Sequence, residues 1–200
     1  MEKFLLQLAS KDPVPGGGGA AAMAGSLAVA LGSMVGNLTI GKKKYQEYQQ
    51  DIERILSTLQ TSLWDIYGYI EKDARAFEPL AEAYKIPKEQ PGREEHMEQV
   101  TLEAAKVPFA LTEKLYEMIP LLEELEKKGS RLAISDVAVA ASCLKAALES
   151  AVMNIYINTG TMKNRKLAEE MNKKAKSLST EGARRCQDIY DRILETLVKQ

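Results

Sequence analysis

Chemistry in this sequence has to be done with carboxylates, amides, lysines and backbone groups. His96 is the only histidine in 200 residues, and it lies in the charged run Arg93-Glu94-Glu95-His96. That context reads as an exposed helix face rather than as the base of a Ser-His-Asp or Cys-His arrangement. CxxC, HExxH and Glu-x-x-His spacings are absent, so no metal site is expected. Four other places stand out. Gly16 to Gly19 precede an apolar run, and backbone N–H groups there, at the positive end of a helix, can hold an anion. A plain hinge explains the same glycines equally well. The run is not a P-loop, because no Lys-Ser or Lys-Thr follows, and not a dinucleotide fingerprint, because no strand precedes it. Asn37-Leu38-Thr39-Ile40-Gly41-Lys42-Lys43-Lys44-Tyr45 gathers polar and cationic groups at a helix end, where ordinary capping and a solvated charge run also account for them. Asp73 shares a helix face with Phe77, and by spacing alone is a surface acid. Ser135-Asp136 opens a helix and can simply cap it. Farther along, Asn154 and Asn158 share a face of an otherwise apolar helix and need partners wherever they are buried.

Helices must position these residues, since alternating strand patterns are nearly absent. A short helix is expected over Glu2–Ala9, and Pro13 and Pro15 prevent its continuation. A long Ala-rich helix follows the glycines, from about Ala20 to Leu38. Its small residues Ala24, Ala28, Gly32 and Gly36 form one stripe, predicting close packing inside the subunit or against a copy of itself. The next helices are expected at Tyr45–Glu82 with a kink at Pro79, Arg93–Lys127 with bends at Pro108 and Pro120, Ser135–Asn158, and an amphipathic Lys163–Val198. The sum is an all-α, single-domain bundle of about five main helices covering residues 1–200.

Composition narrows the function classes. Lys plus Arg number 27 and Asp plus Glu 28, so nothing favours a nucleic-acid partner. Two cysteines cannot build a disulfide framework; Cys143 and Cys186 read as reduced thiols of a cytoplasmic protein, Cys143 as a small buried hydrophobe. No signal-peptide pattern opens the chain. Residues 13–41 carry no charge and are long enough to span a bilayer, but Ala and Gly gain little in hydrocarbon, so a buried helix is expected and no membrane partner.

The segment Pro13-Val14-Pro15-Gly16-Gly17-Gly18, the Ala/Gly-rich helix, and Asn37 through Tyr45 together resemble the signature of the formiminotransferase-cyclodeaminase C-terminal domain family. Asp73-Ala74-Arg75-Ala76-Phe77, Ala83-Tyr84-Lys85-Ile86-Pro87, Ala104 to Pro108, Ile134-Ser135-Asp136-Val137 and the Asn154/Asn158 pair follow in the family's order, so the resemblance spans essentially the whole chain. Two departures stand out. Gly19 takes the place of a usual serine, and Gly129-Ser130-Arg131-Leu132-Ala133 replaces a Gly-Asn-x-Asn turn.

The resemblance implies a homodimer that binds folate in a cleft near the dimer interface. It implies hydrolysis of 5,10-methenyltetrahydrofolate to 10-formyltetrahydrofolate or, as the sister reaction, cyclodeamination of 5-formiminotetrahydrofolate. A non-catalytic helical dimer is the remaining alternative. With histidine set aside, Asp73 and Asp136 are the expected acid/base groups, with Lys43 or Lys42 tuning charge or holding the substrate carboxylate. Pro15, Gly16, Gly17, Gly18, Asn37, Thr39, Phe77, Ser135, Asn154 and Asn158 are expected to contact the substrate. No organic cofactor and no metal are expected, the tetrahydrofolate derivative being the substrate.

Overall fold

The computed structural model describes residues 1–199. Among them every regular element is a helix: α1 (Glu2–Leu8), α2 (Gly17–Asn37), α3 (Gln49–Tyr84), α4 (Arg93–Lys128), α5 (Ile134–Thr159) and α6 (Arg165–Val198). Short 3₁₀ turns occupy Lys43–Tyr48 and Arg131–Ala133. The five long helices and the short first one follow the expected order. Two details differ from the sequence reading. The helix expected to start at Ala20 starts at Gly17, so the glycines are its first turn rather than a turn ahead of it, with Gly16 extended as N-cap. Glycine disfavours a helix by about 1 kcal/mol relative to alanine, which is why local propensity leaves these residues outside. The helix expected from Tyr45 begins at Gln49, behind the 3₁₀ turn. Pro79, Pro108 and Pro120 lie inside α3 and α4, which run through them as single helices.

α2 and α5 form the centre. They pack along each other, α3 flanks α2, α6 flanks α5, and α4 covers the back by touching all four. Close approach on α2 depends on its small residues. A Cβ on Gly25 would stand 2.4 Å from Leu115 Cδ2, and one on Gly36 would stand 2.7 Å from Leu56 Cδ2. A Cβ on Gly32 would crowd Leu122 and Leu59 at 3.1 and 3.3 Å. The small-residue stripe therefore faces α3 and α4 within the subunit and is not the surface for a second copy. On α5 the alanines Ala140, Ala141, Ala147 and Ala151 are fully buried, and Leu144, Leu148 and Ile155 fill the space around them. α2 is long and apolar enough to cross a membrane by length and composition, and more than half of that stretch is buried in the bundle. Cys186 is buried, Cys143, expected to be buried, is only partly so and packs against the core, and both are free thiols.

α2 and α5 run antiparallel, and this fixes two ends of the molecule. At one end a Cβ on Gly17 would touch Asn154 Oδ1 at 3.1 Å. At the other, the Ser130 amide donates to Thr39 Oγ1 at 2.8 Å, and the Thr39 hydroxyl donates to the Val35 carbonyl at 2.7 Å. At 1.5 Å rise per residue, the twenty residues from Gly17 to Asn37 separate the ends by about 30 Å.

Candidate active site

A cleft of about 330 Å³ opens at the first turn of α2. Its floor is Gly16 and Gly17, with Pro13 and Val14 at the edge. The Val14–Pro15 peptide bond is cis. One wall comes from α3, where Asp73, Phe77, Leu80 and Tyr84 recur at helical spacing. The opposite wall comes from the last turns of α5, with Asn154, Ile157 and Asn158, and from Thr161 just beyond. Ala104 of α4 closes the back. Pro108 has no N–H, so the Ala104 carbonyl lacks its usual donor four residues on.

Asp73 is the only titratable carboxylate in this lining. Burial pushes its carboxyl up from the ordinary value, opposed by a hydrogen bond from the Gly19 backbone amide. It stands against the first turn of α2 so closely that a Cβ on Gly18 would fall 2.2 Å from Asp73 Oδ1. Gly18 is thus glycine because a carboxylate occupies the side-chain position. Asn154 is held by a hydrogen bond from its Nδ2 to the Ser150 carbonyl at 2.9 Å, with its amide group against Gly17. A carboxylate of raised pKa beside two amides can take a proton from water and donate it back.

The wall beyond α5 is held in place by charge. Glu98 of α4 accepts hydrogen bonds from the Lys163 and Asn164 amides at 2.6 and 2.9 Å. Arg165 donates to the Thr159 and Met162 carbonyls. Asn164 Oδ1 accepts from the Leu167 amide and caps α6. Thr161 is fixed from both sides by these contacts.

Of the residues expected from sequence, the fold brings Gly16, Gly17, Asp73, Phe77, Asn154 and Asn158 into one cleft, with Pro15 and Gly18 packed behind it. It does not bring Asn37, Thr39, Lys42, Lys43, Ser135 and Asp136 there. Asp136 precedes Asn154 by eighteen residues on the same helix, about 27 Å along its axis. These residues gather at the other end. Lys42 and Lys43 are exposed and line a shallow hollow with Gly41, Gln46 and Gln49. The Thr39 hydroxyl is buried and engaged by protein on both its donor and acceptor sides. Tyr45 Oη accepts from the Arg131 amide at 2.9 Å, which lowers the Tyr45 pKa. His96 is exposed, as its charged surroundings imply. Sequence reasoning missed Leu80, Tyr84, Ala104, Ile157 and Thr161 as lining residues. Leu80 and Tyr84 continue the Asp73–Phe77 face by one and two turns, a signal that helical spacing carried.

Comparison with known proteins agrees with this architecture. Residues 1–177 match the family described as Formiminotransferase-cyclodeaminase. The methenyltetrahydrofolate cyclohydrolase of Methylorubrum extorquens is 38% identical over 197 residues, covering 96% of this chain and 95% of that protein. The mouse formimidoyltransferase-cyclodeaminase is 29% identical over 182 residues, and the match spans only 34% of that longer protein. Among solved structures, the formiminotetrahydrofolate cyclodeaminase of Thermotoga maritima superposes with a TM-score of 0.85 at 26% identity, covering 97% of this chain and 96% of that one. The helical bundle, the cleft at the first turn of α2 and the match over nearly the whole length lead to one conclusion: the chain belongs to the formiminotransferase-cyclodeaminase family.

Proposed function

We propose that the protein is a folate one-carbon enzyme that hydrolyses 5,10-methenyltetrahydrofolate to 10-formyltetrahydrofolate, with the Asp73 cleft as its chemical centre. The observation that carries the reading is Asp73 itself: a desolvated carboxylate of raised pKa, with two amides across the cleft from it. The methenyl carbon is cationic, so a carboxylate beside it both stabilises the substrate and serves as base. Water adds to that carbon while Asp73 takes its proton, giving a neutral tetrahedral carbon bridging N5 and N10. The bond to N5 then breaks, N5 gains a proton, the hydroxyl loses one, and the formyl group remains on N10. Asn154 and Asn158 are placed to hydrogen-bond the pterin or the oxygen that becomes the formyl oxygen. Phe77 and Tyr84 offer flat apolar surface to the ring system. The steps move protons and no electrons, and this reading assigns no organic cofactor and no metal.

The sister reaction, attack of N10 on a formimino carbon with loss of ammonia, passes through the same kind of bridged carbon. The near full-length similarity to the Methylorubrum cyclohydrolase supports the hydrolytic reading. Initial rates decide between them. Loss of the methenyl chromophore above the buffer rate is expected, with no ammonia released from 5-formiminotetrahydrofolate. Ammonia release would make the protein a cyclodeaminase, and silence on both substrates would leave a non-catalytic helical protein.

A further inference from the structure

We infer that Arg93 receives the carboxylates of the substrate's glutamate tail, in a hollow that continues the Asp73 cleft past Thr161. The inference rests on the folate reading and adds to it the residue that reads the tail. A folate carries the carboxylates of its glutamate moiety, and the cleft lining contains no lysine or arginine. Lys42 and Lys43 lie about 30 Å away, at the other end of α2. A cation for the tail has to stand just outside the cleft. A smaller hollow of about 160 Å³ adjoins it there. Thr161 lines both spaces, and Arg93, Glu94, Glu98, Thr101 and Lys163 line the hollow with it.

The charges in this hollow are matched except at Arg93. Glu94 pairs with Lys163. Glu98 accepts from the Lys163 and Asn164 amides at 2.6 and 2.9 Å. Arg93 Nε donates to the Ile86 carbonyl at 2.8 Å in a partly buried contact. Among the described residues no carboxylate lies within ion-pair distance of Arg93, and no other acceptor engages its guanidinium. One anchored nitrogen holds the group in place and leaves its terminal N–H donors, the fork that grips a carboxylate with two hydrogen bonds. The spacing also suits a folate. Asp73, Phe77, Leu80 and Tyr84 run along the α3 wall, and the eleven residues from first to last span about 16 Å. Ile86 follows Tyr84 by two residues, so the Arg93 guanidinium stands at the far end of that wall from Asp73. From N10 of a folate, across the aminobenzoyl ring and its amide to the glutamate carboxylates, is roughly 10 Å by bond lengths. The Asp73 and Arg93 side chains cover the remainder. With the methenyl carbon at Asp73, the aryl ring lies against Phe77, Leu80 and Tyr84, and the tail ends at Arg93.

The test is selectivity between two substrates. 5,10-Methenyltetrahydrofolate is compared with 5,10-methenyltetrahydropteroate, which lacks the glutamate, on the wild type, Arg93→Gln and Arg93→Lys. The ratio of kcat/KM for the tailed over the tailless substrate is expected to fall by about 10–100-fold in Arg93→Gln, the scale of one charge-assisted contact. The loss is expected in KM rather than kcat. Arg93→Lys keeps the charge without the fork and is expected to fall between the two. A wild-type ratio in Arg93→Gln overturns the proposal, whether neither substrate is affected or both lose equally. Equal loss on both would make Arg93 only a brace for the Ile86 loop. A wild type that turns over neither substrate sinks the functional reading instead. Calorimetry with tetrahydrofolate and tetrahydropteroate then still judges the subsite. A preference for the tailed ligand that Arg93→Gln abolishes supports it, and the lack of any preference overturns it.

Discussion

Asp73 and Gly18 occupy one volume, and that pairing sets the residue-scale expectations. Asp73→Asn keeps the shape and removes the base, so kcat is expected to fall by about 10²–10⁴-fold. The stability sign is opposite. The folded-state pKa of Asp73 is raised by burial, so its favourable contribution exists only at low pH and is lost as pH rises through that pKa. At neutral pH the ionised carboxylate costs stability, and Asp73→Asn should raise Tm slightly while turnover disappears. A lowered Tm with intact turnover would instead make Asp73 only a cap for α2. In the wild type, kcat/KM should rise with pH through a midpoint above the ordinary carboxylate value. Gly18→Ala improves helix propensity, yet its Cβ would displace the carboxylate it would otherwise meet at 2.2 Å. Activity should fall at least tenfold with the helix content unchanged by circular dichroism.

At the scale of elements, glycines divide by what surrounds them rather than by where they fall in a helix. Gly68 lies inside α3 with open space around an added Cβ. Gly68→Ala should therefore stabilise by about 0.5–1 kcal/mol, through helix propensity and a less free unfolded chain. Gly36 also lies inside a helix, but its Cβ would meet Leu56 Cγ at 3.0 Å and Cδ2 at 2.7 Å. Gly36→Ala should destabilise by about 1–3 kcal/mol through overpacking between α2 and α3. Urea unfolding of the two variants checks both signs, and equal effects would contradict the packing argument. The antiparallel pairing of α2 and α5 is what delivers Asn154 to Gly17, and it also delivers Ser130 to Thr39 at the far end.

The whole molecule is tied along its surface by carboxylates whose charged form the fold favours. Arg185 grips Glu123 with two hydrogen bonds at 2.8 and 2.7 Å, and this donation holds Glu123 below its usual pKa. Lys128 does the same for Asp51, and Lys163 for Glu94. Arg54 and Lys128 lower Glu124 against the cost of its burial. Carboxylates with depressed folded-state pKa contribute stability above their unfolded pKa and lose it as pH falls through the folded value. Tm should accordingly drop as pH is lowered below about 4, with Glu123→Gln flattening part of that slope. These pairs join α4 to α6, to the segment before α6 and to α3, so acid should loosen those contacts before the apolar α2–α5 centre. Thermal melts monitored by circular dichroism across pH provide the check.

Helical periodicity, the apolar run at residues 13–41 and the order of the motifs determined the all-α class, the order of the helices and the family. Those properties are local, since each depends on residues within a few turns of one another. Asp73, Phe77, Asn154 and Asn158 were legible as a set because two short spacings and the family's motif order marked them. That Gly17 to Gly19 are helical was not legible, because the reason lies on α3 and α5, more than fifty residues away. Nor could sequence say that Asp136 and Lys43 stand about 27–30 Å from Asp73, since motif order carries no distance. Only the antiparallel packing of α2 against α5 decided that separation: two rigid rods of twenty-odd residues hold their ends apart, and no side chain spans the gap.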